Sequence, residues 1–262
     1  MFKQYKIVYL CVVVAFMAST YGVAEASHSW GTFHWARSAN PLMLNLGDNV
    51  SSAWDTHLNT ASTDWSVSTV LDTTAVPGNT NNTKGRNTPK SCTPTAGRAE
   101  ICNAKYGYNG WLGIASVWAS GNHITQGTVK LNDTYFNQPA YNTPAWKLLV
   151  MCQEIGHVFG LDHQDENFQN APLGSCMDYT NDPTPNQHPN THDYSQLETI
   201  YSHLELAQST TTVSPNSQRM LDHDDASTWG REIRSSPDRR TSVFERDFGR
   251  GQKVYTFVTW AE

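Results

Sequence analysis

The chain has 262 residues, of which 38% are hydrophobic, and a formal net charge of −6. This length suits one domain with a smaller appendage and allows a sizeable core. The mildly acidic composition, without a cluster of Lys or Arg, excludes the electrostatic footprint of a protein that binds nucleic acid or an anionic membrane. We therefore expect no nucleic-acid or membrane partner. We also expect the protein to be a monomer.

The first residues have the pattern of a signal peptide. Lys3 and Lys6 precede an apolar run from Ile7 to about Ala18, and a small-x-small cleavage signal follows at 24–26. The run is shorter than the roughly 20 apolar residues that a membrane-spanning helix needs. We therefore predict a signal peptide over 1–26 and a secreted, extracellular protein.

The cysteine content agrees with export. Cys11 lies in the predicted signal peptide, and four cysteines remain in the rest of the chain. An even number in an oxidising compartment favours two disulfides, although four cysteines allow three connectivities. We predict Cys92–Cys102, which closes a short loop, and Cys152–Cys176; the alternative is that one or more of them stay buried thiols.

Residues 27–207 are expected to form one domain. Apolar residues spaced by three and four predict a helix over 50–65. Residues 72–109 are rich in Asn, Thr, Gly and Pro, which predicts a long functional or mobile loop. Strands are predicted at 30–37, 41–47, 66–72, 110–119 and 123–132.

A second helix is predicted over 144–159. Thr143 is a suitable N-cap, Pro144 takes the first helical position, and Gly160 follows the last turn. A shorter helix is predicted near 193–206.

The remaining residues, 208–262, are predicted to be an extension of unknown role. A Ser/Thr-rich stretch over 209–216 is typical of a linker, and a β-hairpin is predicted over 241–261, turning at Gly249–Gly251.

The segment 152–163 reads CQEIGHVFGLDH. Its spacing is that of H-E-x-x-H-x-x-G-x-x-H, with Gln153 in the place of the first histidine. Residues four apart on a helix project side by side, so Gln153 and His157 share a face. A sharp turn at Gly160 would bring His163 back as a third ligand. Three protein ligands with one open position are the arrangement of a catalytic zinc site.

The chemistry of such a site assigns roles to the neighbouring side chains. Zinc lowers the pKa of its bound water to about 7, and an adjacent carboxylate accepts the proton as the water attacks a carbonyl. Glu154 is the predicted general base. Tyr179 could donate a hydrogen bond to the oxyanion that forms.

This pattern resembles the metzincin metalloproteases, most closely the matrixin-like members. The residues that match are Glu154, His157, Gly160 and His163 of the helix motif, together with Met177 and Tyr179 in SCMDY. The resemblance implies an α+β zincin fold with a twisted mixed sheet, an active-site helix and a methionine turn beneath the zinc. It also implies that the strand at 110–119 is the rim strand that pairs with an extended protein or peptide substrate.

Gln153 leaves three interpretations open. It could ligate zinc weakly, the zinc could be held by His157, His163 and an extra water, or the site could be inactive. The predicted function is a secreted zinc-dependent endopeptidase. The alternatives are an inactive zincin-fold binding module and a glycan-binding surface protein, the latter suggested by the nine Trp.

The other histidines show no ligand spacing and are interpreted as structural. They are His28, His34, His57, His123, His188, His192, His203 and His223.

Overall fold

The computed structural model describes residues 27–79, 89–205 and 225–261. The predicted signal peptide and the predicted linker at 209–216 lie outside these ranges. None of the helices within them is long and apolar enough to cross a membrane.

The described residues form an α+β fold built on one mixed sheet of nine strands. The strand order is β3-β2-β4-β6-β5-β9-β8-β7, and β1 pairs with the start of β6. Strands β1, β2, β3, β4 and β6 pair in parallel, whereas β5, β7, β8 and β9 add antiparallel pairs. The strands are β1 His34–Trp35, β2 Leu42–Asn49, β3 Leu71–Pro77, β4 Ala99–Ala104, β5 Trp111–Ser120, β6 His123–Asn132, β7 Arg231–Ser235, β8 Thr241–Gly249 and β9 Gln252–Trp260. The helices are α1 Asp55–Trp65, α2 Asp133–Phe136, α3 Pro144–Val158 and α4 Thr191–Ile200.

Helix α3 begins and ends where its sequence signals predict. Thr143 accepts a hydrogen bond from the backbone N–H of Trp146 at 3.2 Å, which satisfies a free donor at the helix N-terminus. Gly160 has φ +98°, and a Cβ atom there would lie 2.5 Å from the carbonyl oxygen of Phe33. Only glycine therefore fits the turn that follows the helix.

The core lies where α1 and α3 pack against the sheet. Trp65 of α1 is fully buried, and its indole N–H donates to the carbonyl of Cys152 on α3 at 3.2 Å. Both predicted disulfides are present, Cys92–Cys102 and Cys152–Cys176. The second one ties α3 to the segment that contains Met177.

Several boundaries predicted near α1 and α4 are wrong. The helix predicted over 50–65 begins only at Asp55, after a turn in which the Trp54 backbone N–H donates to the carbonyl of Ser51. The strand predicted at 66–72 begins only at Leu71, because Ser66 and Val67 continue α1 as turns and donate backbone hydrogen bonds to it. Helix α4 is Thr191–Ile200. It starts at an Asn190 capping box rather than near 193 and ends at Ile200 rather than near 206.

The predicted loop at 72–109 contains most of β3 and all of β4. Every residue of β4 is buried, so the strand shows no alternation of apolar and polar side chains. Its polar residues are paired inside the protein: Glu100 binds Arg98, and Asn103 binds Asp133. The predicted strand at 30–37 shortens to His34–Trp35.

The predicted C-terminal hairpin is confirmed as β8 and β9. Strand β9 pairs antiparallel with β5, from Gly113 opposite Thr259 to Ser120 opposite Gln252. Phe257 of β9 is buried in the main core. The hairpin thus continues the sheet of the domain, and whether 208–262 can be separated from the domain stays a prediction.

We expect Phe257→Ala to lower the free energy of unfolding of the whole domain by about 3–5 kcal/mol, since it deletes a fully buried aromatic side chain. Ile233→Ala, at a side chain of β7 that is 43% exposed, should change it by less than about 0.5 kcal/mol. Urea unfolding followed by tryptophan fluorescence measures both. An unchanged main transition in Phe257→Ala would show that the hairpin is an independent unit.

Candidate metal centre

The second half of α3 presents Gln153, Glu154 and His157 in the interior of the protein, where all three are buried. The turn at Gly160 returns the chain so that His163 meets His157. Their Nε2 atoms lie 3.1 Å apart. The structure therefore brings together the two histidines that the motif predicts as ligands.

The hydrogen bonds of the two imidazoles indicate which ring nitrogen of each carries the proton. His157 Nδ1 lies 2.9 Å from the carbonyl oxygen of Leu161, which can only accept. His163 Nδ1 lies 2.7 Å from the hydroxyl of Tyr179, whose proton is donated to Thr241. Both rings therefore hold the proton on Nδ1, and the two Nε2 lone pairs face each other.

Facing lone pairs repel unless a proton or a cation lies between them. Burial lowers the pKa of His157 to about 4, although the Leu161 carbonyl and Asp162 raise it. Burial and the neighbouring His157 lower the pKa of His163 well below its usual value. A shared proton is therefore disfavoured near neutral pH. Two neutral imidazoles whose opposite nitrogens are held by a carbonyl and a hydroxyl fit zinc.

Gln153 has partners on both sides of its amide group. Its Nε2 donates to the carbonyl of Cys176 at 3.1 Å, and its Oε1 accepts from the hydroxyl of Thr259 at 3.0 Å. The first bond orients the amide oxygen away from Cys176 and toward β9. The oxygen is engaged with Thr259 in this conformation, and ligation of a metal by Gln153 stays a prediction.

Glu154 is packed between α3 and β5. A Cβ atom at Gly113 of β5 would lie 2.6 Å from Glu154 Oε1, so the glycine makes room for the carboxyl group. The Thr259 hydroxyl also lies 2.8 Å from this oxygen, so Gln153 and Glu154 compete for its single proton. Burial raises the pKa of Glu154 to about 8, against the hydrogen bonds from Thr259 and the Ala115 backbone. At pH 7 the carboxyl is therefore mostly protonated in this conformation.

Met177 lies directly beneath α3. A Cβ atom at Gly156 would lie 2.4 Å from Met177 Sδ and 2.9 Å from the ring of Trp65. The methionine thus packs against the helix between Gln153 and His157, next to the disulfide at Cys176.

The C-terminal strands cover the site. The ring of Phe257 stacks on that of His157 with centroids 4.4 Å apart. Arg234 of β7 forms an ion pair with Asp162, the residue before His163. Beside Gln153 and Tyr179 a cavity of only about 20 Å³ remains, which holds one water at most.

The edge of β5 that was expected to pair with a substrate pairs with β9 in this conformation, and substrate pairing at that edge stays a prediction. The covering residues are Arg234, Thr241, Phe257 and Thr259. No sequence pattern points to these four residues, because each lies more than 70 residues beyond His163 and belongs to no metal-ligand motif.

The chain matches no protein-family model, and comparison with curated proteins finds none with significant similarity. The interpretation of the site therefore depends on its own geometry and on the motif.

We expect Gly156→Ala to destabilise the protein by about 1–3 kcal/mol, because the added methyl overlaps Met177. Adding Met177→Ala should recover part of that loss, since the two side chains compete for one space. Thermal unfolding of the two single variants and the double variant measures this coupling. Strictly additive losses would show that Met177 does not lie against Gly156.

Proposed function

We propose that the chain is a zinc-dependent endopeptidase with a zincin-like catalytic domain. The observation that carries the proposal is the approach of His157 Nε2 to His163 Nε2 at 3.1 Å, one helical turn from a buried carboxyl. These two imidazoles would hold the metal, with Gln153 Oε1 as the candidate third ligand. Bound there, zinc would acidify a water molecule and polarise the carbonyl of the scissile peptide bond.

The chain's own residues supply the rest of the chemistry. Glu154, adjacent to Gln153 on α3, is the group that would accept the proton of the attacking water. The Leu161 carbonyl and the Tyr179 hydroxyl hold the two imidazoles in the tautomer that ligates through Nε2. If Tyr179 leaves Thr241, its proton becomes available to the oxyanion of the tetrahedral intermediate.

We further infer that hydrolysis requires β9 to leave β5. An extended peptide could add to the β5 edge by the same main-chain pairing that β9 uses here. Departure of β9 also removes Phe257 and Thr259 from the site and admits water. Hydration of Glu154 then returns its pKa toward the ordinary carboxyl range, so that it ionises and can act as a base.

One observation favours an inactive binding module instead. Gln153 replaces an imidazole, and its oxygen already has a partner in Thr259. Zinc binding without chelator-sensitive hydrolysis would support that alternative. The glycan-binding alternative gains no such support, because seven of the nine Trp are buried and only Trp146 and Trp260 are partly exposed.

Glu154→Gln should keep bound zinc but lower the hydrolysis of unstructured casein by about 10²–10⁴-fold, the usual contribution of a general base. His157→Ala, which removes a ligand, should lose both zinc and hydrolysis. Metal analysis and a fluorescent casein assay, each with and without chelator, measure the two effects. Hydrolysis by Glu154→Gln at the wild-type rate would disprove the role of Glu154.

A disulfide between β5 and β9 tests the opening step. Ile114 and Val258 are opposite each other in the two strands and belong to a small cluster separate from the main core. Directly opposite strand residues have the Cα separation that a disulfide needs. We expect Ile114→Cys/Val258→Cys, once oxidised, to lose casein hydrolysis while keeping zinc, and each single variant to stay active. Equal activity of the crosslinked and single variants would show that β9 need not move.

A further inference from the structure

Three histidines without ligand spacing in the sequence lie together around Glu205. Strand β1 supplies His34, and its partner in the sheet register, His123, begins β6. The Nε2 atoms of His34, His123 and His203 lie 2.9, 2.8 and 3.2 Å from the same oxygen, Glu205 Oε1. The ligand atoms of His34, His123 and Glu205 all lie within 4.8 Å of one another.

The segment that carries His203 and Glu205 is held in place by a buried arginine. The backbone N–H of Glu205 donates to the carbonyl of Arg37 at 2.8 Å. The Arg37 side chain in turn donates to the backbone carbonyls of His203 and Tyr201. The side chains of His203 and Glu205 are therefore positioned by hydrogen bonds between their backbone and Arg37.

A hydrogen bond from the ring nitrogen of His34 that faces away from Glu205 indicates which nitrogen carries the proton. His34 Nδ1 lies 2.7 Å from the backbone carbonyl of Thr32, which can only accept, so neutral His34 carries its proton on Nδ1. In that state its Nε2 lone pair faces a carboxylate oxygen at 2.9 Å, and only a proton or a cation between the two atoms makes the contact favourable. The other oxygen, Glu205 Oε2, is buried and has no hydrogen-bond partner among the described residues. A cation between these groups would satisfy all of them.

We propose that His34, His123 and Glu205 bind a divalent transition metal, with His203 as a fourth candidate ligand. Imidazole and carboxylate donors together suit zinc, and a backbone carbonyl on the opposite ring nitrogen is the usual support of a metal-ligating histidine. The site borders a cavity of about 560 Å³, also lined by Asn122 and Gln196, which gives a metal access from solvent. Bound metal would join β1, β6 and the segment after α4.

The test uses the full-length secreted chain, stripped with chelator and re-equilibrated with zinc chloride, and measures bound zinc per chain by mass spectrometry. We expect two zinc ions in the wild type and one in each of His123→Ala and Glu205→Gln. His157→Ala should also hold one, and His123→Ala/His157→Ala none. His188→Ala, an exposed histidine paired with Asp64, should keep both.

The outcomes separate this site from the one on α3. One zinc in the wild type that persists in His123→Ala and is lost in His157→Ala would overturn the second site: the cluster would be an ion pair of Glu205 with protonated histidines. One zinc that is lost in His123→Ala and kept in His157→Ala would support this site and contradict the α3 site. In chelator, the melting temperatures of His123→Ala and Glu205→Gln should match that of the wild type. Added zinc should raise the melting temperature of each variant by less than it raises that of the wild type.

Discussion

The antiparallel pairing of β5 with β9 is the contact on which the rest of the structure depends. It joins residues 231–260 to the sheet and places Phe257 on His157. One face of β5 also packs against α3, where Gly113 leaves room for Glu154. The candidate site therefore lies between helix α3 and the paired strands β5 and β9.

Burial has opposite effects on the two kinds of residue in this site. It lowers the pKa values of His157 and His163, which keeps them neutral and able to bind a metal. The same burial raises the pKa of Glu154 and keeps it protonated, so it cannot act as a base. In the proposed enzyme, the closed hairpin would therefore keep the two candidate ligands neutral and the candidate base protonated. Opening would reverse the second effect, while the carbonyl of Leu161 still orients His157.

Local signals in the sequence predicted α3, the hairpin and both disulfides, because capping residues, turn glycines and a small number of cysteines act over short distances. The partner of the hairpin could not be predicted, since β5 and β9 are separated by more than 100 residues and any free edge could have accepted β9. Strand β4 was not predicted, because its polar residues are buried and the strand has no alternation of apolar and polar side chains. His34, His123 and His203 come from three distant segments, so no spacing links them.

The most direct test of the proposed zinc site is a crystal structure of the zinc-loaded protein, with an anomalous difference map measured above the zinc absorption edge. We expect a peak within bonding distance of His157 Nε2 and His163 Nε2, with the two nitrogens further apart than the 3.1 Å found here. A map without a peak there, in which the two imidazoles still contact each other directly, would contradict zinc binding by the α3 motif.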